Sequence, residues 1–435
     1  MPNVKEDILQ FIWQHKLLKP ANLQTKSGRS IEVIKQGQLN SDSGADFFNA
    51  QIKLEDITLV GNIEVHVNSS DWLKHKHQND SAYDNIILHV VYNADKEISQ
   101  NKNNNVEVLE LKEHIPPHLL TNYENLIASK AALPCGNHLK EVDELKASPW
   151  INRMAIERLE NKTEVIEKTF ASFNNDFTQT FYCILLKNFG FKVNSLPFEL
   201  LASYLPVHIL LKHIDNQKQV EALILGTAGL LDDFFKDKYI QNLQSEFEFL
   251  KNKYQLSVLN KTIFKYSKLR PSNFPGLRLA QFAQLICKNS KLLSQPHEFN
   301  SISELRSVLD LELEGYWKNH YKPDGEKSKI DLRLGEASKQ NILVNTFSYF
   351  LFFYGKKLNK PFFENFALEI LESASFEDNT KTKKFVTLNG GKRSAMTSQG
   401  MIHLYDNYCS KKQCLKCGIG CSILQTKHGS TTEEN

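Results

Sequence analysis

The sequence lacks the features that mark membrane proteins and the common nucleotide-binding enzymes. Its 435 residues contain no run of about 18 apolar side chains, which excludes a conventional membrane-spanning helix. The first residues, Met1 to Asp7, lack the apolar core of a signal peptide, so we expect a cytoplasmic protein with no membrane partner. The patterns G-x4-G-K-[ST], G-x-G-x-x-G and G-x-S-x-G are also absent, so P-loop, dinucleotide-binding and nucleophile-elbow enzymes have no support.

The composition is that of an ordinary globular chain. Hydrophobic residues make up 41% of it, enough for a sizeable core, and the net charge of +3 favours no class of partner. The length predicts two or three domains. Residues 1–118 mix strand and helix patterns, residues 119–380 are helical in pattern, residues 381–428 are basic and cysteine-rich, and residues 429–435 are expected to be disordered. We therefore predict an α+β protein in which an N-terminal mixed α/β sheet domain precedes a large all-α region with a C-terminal cysteine cluster.

Individual elements follow from the spacing of apolar residues. Residues 6–18 have helical spacing and predict an amphipathic helix. Gly61 marks an expected bulge or kink between two strands. The nearly continuous apolar run at 85–92 is expected at the centre of the sheet, and the alternating run at 106–111 at an edge. Further strands are expected at 30–36, 48–54, 57–60 and 62–67, an Asn-rich loop at 101–105, and helices at 151–160, 177–189, 198–214 and 220–231.

Two acidic residues and a histidine in the strand region suggest a metal site. Asp46 follows a turn and opens one strand, and Glu64 lies in a second strand, two positions before His66. Residues two apart in a strand share a face, so Glu64 and His66 point the same way. If the two strands form a hairpin, Asp46 approaches Glu64, and the pair suits Mg²⁺ or Mn²⁺. The alternative is that Asp46 caps its turn and that Glu64 and His66 are an ordinary solvated strand face.

Nearby histidines offer a second metal hypothesis. A zinc site built from His66, His75, His77 and His89 is conceivable, although no standard ligand spacing supports it. His75 and His77 are two apart, so they diverge on a helix and converge only in an extended loop. His89, within an apolar strand, and Trp72 are more typical of core residues.

The order of these elements resembles the PD-(D/E)XK nuclease superfamily over about the first 115 residues. The resemblance implies a restriction-endonuclease-like core in which Asp46 and Glu64 hold Mg²⁺ or Mn²⁺, with Glu6 as an auxiliary acidic residue. Ala45 stands where the motif has a non-catalytic proline. His66 stands where the motif has a lysine, and a neutral imidazole does not carry the fixed positive charge of that lysine, although it can orient or deprotonate a water.

At full length the chain resembles a family of uncharacterised bacterial proteins known as DUF2851. The stretches that carry this resemblance include Ser43-Gly-Ala-Asp-Phe-Phe-Asn-Ala50, Gly61-Asn-Ile-Glu-Val-His66, Ser69-Ser-Asp-Trp72 and Cys414-Leu-Lys-Cys-Gly-Ile-Gly420. The family implies no established activity, so a function must be argued from the residues.

Four of the seven cysteines are crowded near the C-terminus, at Cys409, Cys414, Cys417 and Cys421. In a reducing cytosol this crowding favours metal ligation over disulfides. A structural Zn²⁺ site and an iron–sulfur cluster both use four thiolates, and some PD-(D/E)XK nucleases carry such a cluster after their core. Cys135 is an alternative distant ligand in place of Cys421 or Cys409. The remaining alternative is a set of reduced thiols facing the core.

The same segment is basic. Residues 381–428 hold nine Lys or Arg and one acidic residue, Asp406. Such a patch attracts phosphate backbones, and the candidate contacts are Arg393, Lys411, Lys412 and Lys416, although charged runs are usually solvated faces. The leading hypothesis is therefore a metal-dependent, nuclease-like phosphodiesterase that acts on or binds nucleic acid. The alternatives are an inactive nucleic-acid-binding protein and a scaffold for an unidentified protein partner.

Overall fold

The computed structural model describes residues 4–40, 42–98, 106–328, 332–388 and 390–427. The expected Asn-rich loop at 101–105 and the expected disordered tail at 429–435 lie outside these residues. The chain divides into two compact units. The sheet unit comprises Met1–Trp150, Thr380–Gly391 and Leu404–Asn435, and the helical unit comprises Ile151–Asn379 and Lys392–His403. The sequence-based boundaries at 118 and 380 stay predictions.

Within the described residues, seven strands form one mixed sheet in the order β1-β2-β4-β5-β6-β7, with β3 also pairing with β4. Neighbours from β1 to β5 are antiparallel, whereas β5, β6 and β7 run parallel to one another. The strand expected at an edge is β7, and this expectation is confirmed; the strand expected at the centre is β6, which lies inside the sheet between β5 and β7 but next to the edge strand. The strands are β1 (Leu23–Gln24), β2 (Ser30–Lys35), β3 (Gln38–Leu39), β4 (Phe47–Leu54), β5 (Ile57–Asn68), β6 (Ile86–Asn93) and β7 (Val108–Glu110).

Gly61 lies inside β5, which is one continuous strand where the sequence predicts two. A Cβ at this position would meet Cγ2 of Ile87 at 2.5 Å and the carbonyl oxygen of Asn85 at 2.7 Å. The pairing of β5 with β6 shifts register between Asn62 and Ile63, next to this close approach. The glycine therefore allows β5 to pass close to the start of β6 before the two strands settle into parallel pairing.

The described helices account for most of the remaining chain. They are α1 (Glu6–Gln14), α2 (Asp71–Lys74), α3 (Pro117–Ala128), α4 (Glu144–Ser172), α5 (Phe177–Phe189), α6 (Phe191–Tyr204), α7 (Val207–Leu211), α8 (Gln217–Thr227), α9 (Lys238–Tyr254), α10 (Pro275–Lys288), α11 (Lys291–Ser294), α12 (Ile302–Leu309), α13 (Glu336–Ile342), α14 (Tyr349–Leu358), α15 (Pro361–Ser373), α16 (Ala395–Leu404) and α17 (Gly418–Gln425). None of these is both long enough and apolar enough to cross a membrane.

Helix α1 packs its apolar face against the sheet at β5. Ile8, Leu9 and Ile12 are fully buried, as the helical spacing predicts. The helix ends at Gln14, before the predicted end at residue 18, because Lys16 adopts a left-handed conformation with φ of 54°. This packing brings Glu6 and Gln10, which are one helical turn apart, beside Asp46 and His66 of the sheet.

Helix α17 closes the sheet unit at its C-terminal segment. The buried side-chain amide of Asn122, on α3, donates to the carbonyl oxygens of Ile423, Leu424 and Thr426 at 3.3, 3.1 and 3.0 Å. Carbonyls at a helix C-terminus have no intrahelical partner, so these bonds satisfy groups that would otherwise be buried without one. The last turn of α17 is therefore tied to α3.

The helical unit is packed around aromatic side chains, and α5 has the bounds that its sequence pattern predicts. The single helix predicted at 198–214 is wrong, because α6 begins earlier and the chain breaks at Leu205 before α7 starts. Leu205 precedes Pro206, and the proline ring disfavours the helical conformation for the residue before it.

Candidate metal centre

The hairpin of β4 and β5 brings Asp46 and Glu64 together. Phe47 pairs with Ile63 across the antiparallel strands, which places the two acidic residues at the next position along. The backbone N–H of Asp46 donates to Oε2 of Glu64 at 3.1 Å, and the N–H of Val65 donates to Oδ2 of Asp46 at 2.9 Å. These reciprocal bonds hold both carboxylates at one end of the hairpin, as the sequence predicts for paired strands.

Helix α1 contributes two polar side chains to the same end of the sheet. The amide of Gln10 donates to Oδ1 of Asp46 at 2.9 Å. Glu6, one turn earlier, places Oε1 3.8 Å from Nε2 of His66 and is 40% exposed. A third carboxylate therefore lies at the solvent side of the pair.

His66 shares a face of β5 with Glu64 and is almost fully buried. Its Nε2 lies 3.5 Å from Oε1 of Glu64 and 3.2 Å from Nδ1 of His75. Its Nδ1 lies 2.9 Å from Nε2 of His89, which is on the neighbouring strand β6 and is fully buried, as its apolar strand predicts. One ring nitrogen of His66 thus faces the carboxylates while the other is held by a core histidine.

The short helix α2 and the turn after it deliver two more imidazoles. The helix ends at Lys74, Lys76 takes a left-handed conformation with φ of 62°, and a 3₁₀ turn begins at His77. This reversal brings the rings of His75 and His77 to a centroid distance of 5.4 Å. Each of His66, His75 and His77 offers a ring nitrogen, and the three nitrogens all lie within 4.8 Å of one another.

The carboxylates are held in an unfavourable electrostatic environment. Burial, and then the charge of Asp46, raises the pKa of Glu64 to about 9. Burial also raises the pKa of Asp46. Within the described part of the chain, no lysine or arginine forms a salt bridge with either of them, and the imidazoles of His66 and His77 lie 3.5 and 3.4 Å from Oε1 of Glu64. The pair is therefore short of positive charge, which a bound cation would supply.

The imidazoles are held in the form that binds metals. Burial, followed by the three neighbouring imidazoles, lowers the pKa of His66 to about 2. Burial, followed by His75, lowers the pKa of His77 to about 4. Both rings are neutral at pH 7, so each carries one nitrogen lone pair for a ligand.

The donor set fits a divalent ion better than it fits a purely structural network. Nε2 of His77 is buried, has no hydrogen-bond partner among the described residues, and lies 3.4 Å from Oε1 of Glu64. By contrast, the buried Glu221 in the helical unit accepts hydrogen bonds from four side chains, those of Gln217, Tyr239, Gln284 and Trp317. Neutral imidazoles beside carboxylates suit Mn²⁺ or Zn²⁺ more closely than Mg²⁺, which prefers oxygen ligands.

Aromatic rings form the inner wall of the site, and its outer side is open. Trp72 is fully buried and packs against His77 and His89, so it belongs to the core, as expected. The ring of Tyr83 stacks on His77 at a centroid distance of 3.8 Å. His75 is exposed and marks the side from which solvent or a substrate can approach.

The basic residues expected to contact nucleic acid belong to different units. Lys411 and Lys412, in the sheet unit, donate to Oδ1 of Asn407 and to the carbonyl oxygen of Ile127. Lys416 is exposed in the same unit, whereas Arg393 belongs to the helical unit and stacks on a phenylalanine ring. Their role in binding nucleic acid stays a prediction.

A family model described as "Protein of unknown function (DUF2851)" matches residues 6–380. The chain belongs to the DUF2851 family. This match spans Asp46, Glu64 and all four histidines of the site, and it ends before Cys409. No curated protein and no solved structure matches this DUF2851 chain.

Proposed function

We propose that this DUF2851 protein is a metal-dependent phosphodiesterase that cleaves nucleic acid. The observation that carries the proposal is the convergence of two hydrogen-bonded carboxylates, Asp46 and Glu64, with the imidazoles of His66, His75 and His77 at one end of the hairpin. Buried acids beside neutral imidazoles, with an open side toward solvent, are the ingredients of a hydrolytic metal site.

The order of helices and strands in the sheet unit also supports the proposal of a nuclease. An N-terminal helix, α1, is followed by strands β1 to β3, by β4 with Asp46 immediately before it, by β5 with Glu64, and then by the short helix α2 and the strand β6, which is parallel to β5. This order resembles the PD-(D/E)XK nucleases, in which two acids on neighbouring strands hold the metal. His66 replaces the lysine of that motif, and the extra imidazoles of His75 and His77 come from the α2 turn.

The residues have distinct roles in this proposal. Asp46 and Glu64 supply oxygen ligands, and Nε2 of His66 with the rings of His75 and His77 supplies nitrogen ligands. A divalent ion held there lowers the pKa of a bound water and offsets negative charge on a phosphate. His66 is a ligand rather than the base that activates water, because a pKa near 2 makes its ring too weak a base.

Glu6 is the candidate base. It is partly exposed at the open side of the site, 3.8 Å from His66. Burial, followed by the charge of Asp46, raises its pKa. A carboxylate with a raised pKa accepts a proton from water more readily than an ordinary one. His89 acts as a positioning residue, since it holds Nδ1 of His66 and so directs Nε2 toward the carboxylates.

The test is cleavage of labelled single- and double-stranded DNA and RNA by the full chain with Mg²⁺, Mn²⁺ or Zn²⁺. We expect cleavage with Mn²⁺ or Zn²⁺, lost in Asp46→Asn and in Glu64→Gln. Asp42→Asn is the matched control, because Asp42 is an exposed acid on the turn before the site. Far-UV circular dichroism shows whether each variant is folded, and titration calorimetry shows whether it still binds Mn²⁺. A variant that does both but does not cleave has lost catalysis alone.

Other outcomes would redirect the proposal. Salt-dependent nucleic-acid binding without cleavage, unchanged in Asp46→Asn, would favour an inactive binding protein. Absence of both metal binding and nucleic-acid binding in folded protein would favour a scaffold for another protein.

A further inference from the structure

Four cysteines from separate parts of the chain converge in the sheet unit. Cys135 precedes the 3₁₀ turn Gly136–Glu141, and Cys409 ends a π-helical turn, Tyr405–Cys409. Cys414 opens a short 3₁₀ turn, and Cys417 precedes the first residue of α17. Cys414, Cys417 and Cys135 are each 6–7% exposed, and Cys409 is half-buried.

The sulfurs of these four residues are mutual neighbours. An electrostatic interaction joins every pair within the set of Cys135, Cys409, Cys414 and Cys417. Four cysteine side chains gathered from separate segments are the kind of ligand set that binds a structural metal centre.

Cys421 stands apart from this set. Its sulfur interacts with only two of the four, Cys417 and Cys414. Its Sγ also lies 3.2 Å from the carbonyl oxygen of Leu415, to which it donates. A thiol that donates a hydrogen bond keeps its proton, whereas a ligand sulfur must lose it. The distant Cys135 therefore replaces Cys421 in the four-residue set.

The start of α17 packs closely around Cys414 and Cys417. The backbone N–H groups of Ile419 and Gly420 lie beside the sulfur of Cys417. A Cβ at Gly420 would lie 2.4 Å from the carbonyl oxygen of Cys414, so this close approach of α17 to Cys414 requires glycine. The first turn of α17 therefore keeps the two cysteines in one compact turn.

The separation of the sulfurs distinguishes between the two metal chemistries. Four thiolates around one Zn²⁺, at about 2.3 Å each, lie about 3.8 Å from one another. The described residues include all seven cysteines, and no three of the sulfurs all lie within 4.8 Å of one another. An iron–sulfur cluster places several metal atoms between its thiolates and so holds them farther apart.

We propose that Cys135, Cys409, Cys414 and Cys417 ligate an iron–sulfur cluster, with Cys421 outside the ligand set. This inference goes beyond the phosphodiesterase proposal and does not depend on it. The cluster would fasten the C-terminal segment to the region before α4. Its role would be structural, since no part of the proposed reaction requires electron transfer.

The test starts with the full wild-type chain, purified without oxygen and reconstituted with iron and sulfide. We expect about two or about four iron atoms per chain with equal sulfide, a visible absorption band, and a Mössbauer spectrum of thiolate-bound iron. Zinc is measured in the same samples. This measurement needs no variant, so it stands even where a cysteine substitution prevents folding.

Single substitutions then assign the ligands. Cys135→Ser and Cys417→Ser should lose most of the iron, whereas Cys421→Ser should retain it. Cys287→Ser, in the helical unit, is the matched control for loss of a thiol elsewhere. Stoichiometric zinc with no iron after reconstitution would overturn the proposal, and so would loss of iron in Cys421→Ser with retention in Cys135→Ser.

Discussion

Replacing Glu64 with glutamine should change stability in opposite directions with and without metal. Glu64 is 5% exposed, and its pKa is raised to about 9 by burial and by Asp46. In metal-free protein the folded state therefore keeps this carboxyl protonated at pH 7, whereas the unfolded chain ionises it. Glutamine is neutral in both states and retains an oxygen that can accept the N–H of Asp46.

The magnitude follows from the linkage between protonation and folding. Because the folded pKa is raised, the stability of metal-free protein is full below the unfolded value of about 4.5 and falls as pH rises toward 9. Each pH unit above the unfolded pKa lowers the free energy of unfolding by about 1.4 kcal/mol, so wild type loses roughly 3 kcal/mol of stability at pH 7. One kcal/mol shifts the midpoint of thermal unfolding by roughly 2–4 °C. Without metal, Glu64→Gln should therefore unfold several degrees above wild type.

Thermal unfolding in EDTA and in Mn²⁺, at about pH 5, 7 and 8.5, measures both effects. In EDTA the advantage of Glu64→Gln should grow with pH. In Mn²⁺ the order should reverse, because wild type gains the binding free energy of the ion and the variant loses a ligand. Asp42→Asn serves as the control. A variant that is less stable than wild type by the same amount at every pH in EDTA would refute the reasoning.

Three further changes test the site and the packing around it. His75→Ala should weaken Mn²⁺ binding at least about tenfold, as measured by titration calorimetry. The control is His208→Ala, at an exposed histidine, which should bind Mn²⁺ as wild type does. Equal affinities of His75→Ala and wild type would show that His75 is not a ligand. Asn122→Ala should lower the free energy of unfolding by about 1–3 kcal/mol in urea titrations, because three backbone carbonyls, two of them buried, lose their donor. Gly61→Ala should cost about 1–3 kcal/mol through the clash with Ile87, and an unchanged urea midpoint would contradict that contact.

The sequence predicts that Asp46 and Glu64 lie close together because strand geometry is regular. Side chains two apart share a face of a strand, and an antiparallel hairpin brings residues from its two arms opposite one another. The positions of Asp46, Glu64 and His66 therefore followed once the two strands were assumed to pair. Helix boundaries were less predictable where a local conformation intervenes, as at Lys16 and at Leu205 before its proline.

The periodicity of the sequence is not enough to predict that His66, His75 and His77 meet. His75 and His77 diverge on any regular helix, and they meet His66 only because α2 ends early and Lys76 turns left-handed. The spacing of apolar residues does not predict a single left-handed residue such as Lys76 in an exposed turn. The sequence therefore offered a histidine site only as a hypothesis, and the tertiary structure decides that the rings of His66, His75 and His77 meet.

The amino-acid pattern alone determines the longer strands of this chain, some of its helices such as α1 and α5, the approach of its two central acids, and the crowding of cysteines near its end. These features rest on interactions between residues close in sequence or on the fixed period of a strand. The choice of Cys135 over Cys421, and the meeting of the α2 turn with β5, depend on contacts between distant segments. Only burial of a common core brings such segments together, so the tertiary structure decides which donors share a site.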